Sequence, residues 1–265
     1  MTERPPLIVE KREDGITVLT INRREARNTV SFEMWDLFSA ALDELEGDTP
    51  ARLLVITGAG GWFGNGGDVK NPPVRGDGAL RLAARLEAGQ RIVRRLRALP
   101  VPSVAAVEGG AYGISFALAM ACDMIFAAND ATFGAPFVDY GLVPDGGAAW
   151  FLNRRIGRAR ASEILYSGRS LDCGEALSLG LIARAVEPGT ALEQAIHFGS
   201  TMGSGNRHAI ELTRRLLDIA ETSDLPAAHA LELVYCHTCQ AGDEPTRARE
   251  AFIARAAAAR AAKQG

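Results

Sequence analysis

Two short runs constrain this chain more than any other feature. Leu53-Leu54-Val55-Ile56 and Val104-Ala105-Ala106-Val107 are wholly apolar, and each is followed, one residue later, by a glycine. A strand with one wet face alternates apolar and polar residues. An unbroken apolar run therefore marks a strand covered on both faces, as in parallel sheets flanked by crossover helices. The intervening segments fit that scheme. Trp35, Phe38, Leu42 and Leu45 recur at helical spacing behind Ser31, a residue suited to an N-cap. Leu82, Leu86, Ile92, Leu96 and Leu99 share one side of a second helix, from Ala79 to Leu99, which Pro100 and Pro102 stop. Met124 to Ala127 reads as a further strand, and Leu7–Glu10 and Ile16–Ile21 flank the hairpin signal Asp14-Gly15. Strand and helix alternate to about residue 195, which defines an α/β class. From about Asn206 the pattern turns helical, with Pro226 and Pro245 opening segments. Phe252 and Ile253 in the last helix, Thr246 to Lys263, call for packing on a partner or on the main domain.

At 265 residues the chain can build one large core, or one core plus an appendage. With 47% hydrophobic and 23% charged residues it is neither disordered, collagenous nor a disulfide scaffold. A net charge of −3 argues against nucleic acid or an acidic membrane surface as partner. Met1 to Pro6 has no signal-peptide pattern, and the longest apolar stretch, Ile114 to Ala128, is broken by Asp123 and too short to span a bilayer. Four cysteines suit a reducing compartment, so a soluble cytoplasmic protein is expected.

Chemistry concentrates in the two glycine segments, Phe63 to Lys70 and Glu108 to Gly113. Glycine lets backbone approach a ligand closely, and amides in such turns or at a helix N-terminus are donors for developing negative charge. Two donors converging from separate loops would form an oxyanion hole, each worth roughly 3 kcal/mol. Either loop alone reads better as a tight turn with no ligand. Lys70 adds interest, because only three of 29 basic residues are lysine.

Taken together, Asn22–Asn28, Phe63–Lys70, Glu108–Asp123, Thr132-Phe133-Gly134 and Gly141–Gly147 resemble the enoyl-CoA hydratase/isomerase (crotonase) superfamily, in its order and spacing. Ile156–Ala159, Gly180-Leu181-Ile182 and Glu250-Ala251-Phe252 continue the match across nearly the whole chain. The resemblance implies a crotonase-like spiral of ββα turns over residues 1–195, holding an acyl-CoA site. It also implies a C-terminal helical region, 196–265, that packs homotrimers or dimers of trimers. The substrate would be an acyl-CoA thioester, with no metal or other cofactor. Oxyanion donors would be the amides of Gly67 and Ile114; the second position is commonly glycine in the family. Ala26, Asp68 and Lys70 match positions lining the CoA nucleotide, and Phe252 and Arg255 match a helix that contacts CoA. Trp62 and Phe137 would border the acyl group.

The acid/base positions discriminate among reactions. Family hydratases carry two glutamates; the matching residues here are Ala117 and Phe137, and neither transfers a proton. Hydration needs an activated water and a proton donor. Asp145 matches the catalytic aspartate of isomerases such as the epoxyphenylacetyl-CoA type, and a single carboxylate suffices for a 1,3-proton shift. Phe137, Val143 and Trp150 are expected to surround it and strengthen it as a base. The pattern implies a double-bond or ring-opening isomerase. The alternatives are a hydratase using Asp145 alone, a hydrolase or dehalogenase with Asp145 as nucleophile, and a silent acyl-CoA-binding subunit. Pro-Asp-Gly is also an ordinary turn, and Asp139 and Tyr140 nearby fit either the pocket or an exposed loop. Cys236-His237-Thr238-Cys239 lacks a second cysteine pair and reads as buried thiols rather than a zinc site. Gly113–Ala117 approximates a nucleophile elbow around Ser115, but Glu108 to Tyr112 separate it from its strand. Gly58 to Gly61 fails as a nicotinamide fingerprint, with Phe63 where the third glycine should fall.

Overall fold

The computed structural model of the chain describes residues 5–47, 50–68, 79–202 and 207–261, in two compact units that divide between Ser200 and Thr201. The first unit opens with a hairpin of β1 (Leu7–Lys11) and β2 (Ile16–Ile21). Helix α1 (Phe32–Glu46) turns Met34, Trp35, Phe38, Leu42 and Leu45 into the core, the face its spacing predicts, although the Ser31 side chain makes no capping bond. The two apolar runs are β3 (Leu53–Gly58) and β4 (Ser103–Val107), with helix α2 (Ala79–Ala98) between them. Then follow β5 (Gly110–Tyr112), α3 (Gly113–Ala121), β6 (Met124–Ala128), β7 (Thr132–Gly134) and a 3-10 turn at Pro136–Tyr140. Helices α4 (Ala148–Ile156) and α5 (Arg158–Ser167), β8 (Ser170–Asp172), α6 (Cys173–Ser178), β9 (Arg184–Val186) and α7 (Ala191–Thr201) complete the unit.

The larger sheet has the order β1-β2-β3-β4-β6-β9 and is parallel beyond the first hairpin. The smaller sheet is β5-β7-β8, and isolated parallel bridges, Val30 to Gly67 and Gly64 to Ala111, extend its pattern. The repeat is then visible. β2, β3, β4 and β6 each feed a short extended piece of the second layer: Val30, Gly64–Gly67, β5 and β7. After the first three pieces the chain continues into α1, α2 and α3. This is the spiral of ββα turns that the resemblance implies. Because β3 and β4 are neighbours, the glycine segments that follow them become neighbours too.

The segment after Glu108 departs from the expected loop, since Gly110–Tyr112 pairs with β7 as a strand. Its glycines answer to packing. A Cβ on Gly109 would stand 2.5 Å from the Trp62 ring, and one on Gly110 3.0 Å from it. Phe38, Phe63, Phe116, Phe126 and Phe133 are all buried, each contributing about 1.5–3 kcal/mol. Polar side chains tie the layers at their ends. Glu108 accepts the amides of Gly189 and Ala191 (both 2.9 Å), capping α7. Arg155 on α4 donates to the carbonyls of Met120 (2.6 Å) and Cys122 (3.0 Å) at the end of α3 and of Leu181 (3.1 Å). Arg169 hydrogen-bonds Glu163 and Glu175, which holds both carboxyls below the usual range.

The second unit contains α8 (Arg207–Ala220), α9 (Leu225–Gln240) and α10 (Glu244–Ala261), with α9 packing on both of the others. Asp224 caps α9 by accepting the Ala227 amide at 3.0 Å, and Pro226 stands in its first turn, as its position predicts. Leu225, Leu233, Val234, Phe252 and Ile253 are exposed in the single chain. The expected burial of the cysteine pair does not occur there: on α9 Cys236 is exposed and Cys239 half-buried. Among the described residues no group of His, Cys, Asp and Glu could hold a metal ion, and no helix is long and apolar enough to cross a membrane.

Candidate active site

The two glycine segments touch through their backbones. Gly64 N–H donates to Gly110 O (3.1 Å) and Tyr112 N–H to Gly64 O (2.9 Å). Further along, a Cβ on Gly66 would lie 3.2 Å from Tyr112 O, and one on Gly113 3.5 Å from Gly66 Cα. The peptide groups leading into Gly67 and Ile114 therefore lie next to one another. The Val30 bridge uses Gly66 O and the Asp68 N–H, so in extended backbone the Gly67 N–H faces away from Val30. The Ile114 N–H lies in the first turn of α3, where amides have no acceptor within the helix. Neither amide donates to another described residue. The positive end of the α3 dipole adds to the attraction for an anion.

Buried polar residues hold these loops in place. Asn28, fully buried, donates through Nδ2 to Ala59 O (2.9 Å) and to Trp62 O, and accepts the Arg23 amide (2.9 Å). Arg23 reaches Thr29 O (2.9 Å) and the Asp68 carboxylate (3.2 Å). The segment before α1 is thus stapled to the loop after β3. Asn28 escaped the reading of individual residues; its place in the Asn22–Asn28 motif was its only signal. Ser115 is fully buried, its Oγ accepting the Gly66 amide at 3.1 Å. It braces the loop and is no exposed nucleophile. Ser115→Ala should cost about 1–3 kcal/mol by stranding a buried donor and leave substantial turnover. Denaturant midpoints together with rates check this, and an abolished rate in a stable variant would revive the nucleophile reading.

Asp145 stands at the first position of a tight turn, Asp145-Gly146-Gly147-Ala148. Ala148 N–H donates to Asp145 O (3.0 Å), and φ is +58° at Gly146 and +85° at Gly147, the signs of a type I′ turn, which glycine adopts without strain. The turn rests on α3: a Cβ on Gly146 would stand 2.1 Å from Ile114 Cδ1 and 3.0 Å from Ala117 Cβ. Asp145 is half-buried, with Oδ1 shielded from solvent. The Phe137 ring reaches Gly113 from the other side, its Cζ 3.9 Å from where a Cβ on that glycine would be. Asp145, Ile114, Ala117 and Phe137 thus cluster at the start of α3. The expected apolar enclosure is corrected in part: Val143 is 82% and Trp150 45% exposed in the single chain. The 3-10 turn that delivers Phe137 leaves Asp139 and Tyr140 exposed.

Trp62 packs on the segment after β4. Its ring lies over Gly109 and Gly110, stacks on Tyr112 (6.3 Å, 3° between planes) and carries the Arg27 guanidinium at 5.2 Å. Ala26, half-buried, ends a 3-10 turn on that side. Lys70 lies outside the described residues. Phe252 and Arg255 belong to the second unit, where Phe252 is exposed and Arg255 Nε donates to Ala251 O at 3.3 Å.

Comparison with known proteins identifies the family. The family model described as enoyl-CoA hydratase/isomerase matches residues 11–259. The chain is 32% identical over 250 residues to 1,2-epoxyphenylacetyl-CoA isomerase of Escherichia coli, covering 94% of this chain and 95% of that one. It is 28% identical over 247 residues to the short-chain-enoyl-CoA hydratase of Clostridium acetobutylicum, covering 93% and 94%. The crystal structure of an enoyl-CoA hydratase from Polaromonas sp. JS666 superposes with a TM-score of 0.89 at 29% identity, over 94% of this chain and 97% of that one. A β-spiral with two abutting glycine loops defines a crotonase-type enzyme. The chain belongs to the enoyl-CoA hydratase/isomerase family.

Proposed function

We propose that the protein isomerises an enoyl-CoA thioester, by a double-bond shift or ring opening, with Asp145 as the proton carrier. The observation that supports this reading is the seating of the Asp145 turn on the first turn of α3, beside Ala117 and Phe137, which carry no proton. In the proposed step the thioester oxygen lies between the Gly67 and Ile114 amides. Asp145 removes a proton from carbon, and the electron pair moves into the conjugated system, forming an enolate on that oxygen. The protonated carboxyl then returns the proton to another carbon, so the product has the substrate's mass. Each oxyanion donor is worth roughly 3 kcal/mol in such a step. Binding energy from the CoA portion, remote from the reacting carbons, would orient them.

CoA would be bound through Ala26, Asp68, Lys70, Phe252 and Arg255. Asp68 would act through its backbone, since Arg23 holds its carboxylate. Trp62 and Phe137 would line the acyl side, and no further cofactor takes part. Residues 1–195 would form the catalytic core. The exposed apolar residues of α9 and α10 support a homotrimer or dimer of trimers built through residues 196–265, and the composition supports a cytoplasmic location.

The test is the fate of 2-enoyl- and 3-enoyl-CoA thioesters in D2O, wild type beside Asp145→Asn. A shifted double bond with deuterium uptake that the variant loses is expected; addition of water would instead favour a hydratase using Asp145 alone. Phe137→Glu should not produce an efficient hydratase, because Ala117 still supplies no second carboxylate and the Gly146 turn lies against its methyl group. A water-addition assay checks this, and fast hydration by that single variant would contradict it.

A further inference from the structure

We infer that the Ile114 side chain, distinct from its backbone amide, is a positioning residue that fixes where the Asp145 carboxylate stands. The inference rests on the reading of Asp145 as proton carrier. Ile114 is 7% exposed, and its δ-methyl group lies directly on Gly146. A Cβ there would be 2.1 Å from Ile114 Cδ1, 3.0 Å from Ala117 Cβ and 3.5 Å from Ile114 Cγ1. Cδ1 is thus the atom that sets how closely the turn approaches α3. Helix α4, which the turn opens, is held at its other end by Arg155 on the last carbonyls of α3. Helices α3 and α4 are therefore pinned at both ends: by a hydrogen-bonded arginine at one, and by the Ile114–Gly146 contact at the other. Asp145 is the residue immediately before that second pin. Glycine, common in the family at position 114, offers no side chain for this contact. The isoleucine therefore sets the position of the carboxylate relative to the amide that it shares a residue with.

Ile114→Val tests this most cleanly, because it removes Cδ1 while keeping the β-branch and the amide. kcat should fall roughly tenfold or more, because displacements of about 1 Å cost about 100-fold in well-aligned sites. KM and the dissociation constant for CoA should stay within about twofold, since CoA is bound elsewhere. Gly146→Ala should lower kcat by about 100-fold by pushing the turn off Cδ1. The double variant Ile114→Val/Gly146→Ala should recover part of that loss, about tenfold, because the nearest remaining atom of residue 114 is then at ordinary contact distance, while the +58° backbone at Gly146 and the 3.0 Å approach to Ala117 Cβ keep the rest. A purely structural contact would lower thermal midpoints and the active fraction, leave kcat per folded enzyme intact and show no such rescue. If Gly146→Ala does not fold, the kcat-against-KM split of Ile114→Val decides alone. Wild-type kcat in Ile114→Val beside an inactive Asp145→Asn would overturn the positioning role and leave the proposed function standing. Full activity in Asp145→Asn would remove the function, and the positioning role with it.

Discussion

Asp145→Asn is expected to lower turnover by about 10²–10⁴-fold, the usual contribution of a general acid–base group, while CoA affinity stays unchanged. The substitution keeps the size and shape of the side chain and the Asp145 carbonyl that closes the turn at 3.0 Å. It removes the negative charge and with it the capacity to accept and return a proton. Both backbone donors remain, so any residual rate measures what the loops achieve without a base. Rates and CoA titrations on the same preparation separate the two effects. Near-wild-type turnover would mean that another group moves the proton. A matching loss of CoA affinity would mean that the turn itself had shifted.

Gly58→Ala should damage the fold more than any other single methyl group added to the first unit. Gly58 ends β3 where the chain doubles back. A Cβ there would stand 1.9 Å from Trp62 O, 2.5 Å from Phe63 O and 2.6 Å from Phe63 Cα. These are backbone atoms that no rotamer change can withdraw. Trp62 O is also an acceptor of the buried Asn28 amide, and Phe63 is a fully buried core ring. Relieving the collision would therefore break a buried polar link and open the core under the glycine loop. A destabilisation above about 4 kcal/mol is expected, at the far end of what single substitutions do. Denaturant unfolding, or failure to obtain soluble protein, reads it out. A variant as stable as wild type would show that the loop at residues 59–63 is not held as described.

The alternation of strands and helices is legible because its signals are local, whereas the spiral is implied only by the family resemblance. Leu53 to Ile56 and Val104 to Val107 announce two-faced strands without knowledge of their partners, and the helical faces of α1 and α2 follow from spacing. That the two glycine loops abut follows from the pairing of β3 with β4. What escaped depends on contacts between segments distant in sequence. Nothing near Ser115 shows that its hydroxyl holds the Gly66 amide, and nothing near Gly146 shows that Ile114 lies against it. The 108–113 segment looked like a loop because its glycines were read as turn residues, when two of them make room for the Trp62 ring. Nor does anything near Trp62 show that its ring stacks on Tyr112 and carries the Arg27 guanidinium, side chains that reach it from other turns of the spiral. The burial expected for Cys236 and Cys239 does not arise within the single chain, because α9 keeps that face exposed.

The central claim is that this fold carries out proton transfer through an Asp145-dependent enolate. Its most direct measurement is the mass spectrum of a 3-enoyl-CoA thioester incubated in D2O with the wild-type enzyme and with Asp145→Asn. The account predicts a 2-enoyl product carrying solvent deuterium with the wild type, and unchanged substrate with the variant. A product heavier by one water, or deuterium uptake that persists in Asp145→Asn, would contradict it.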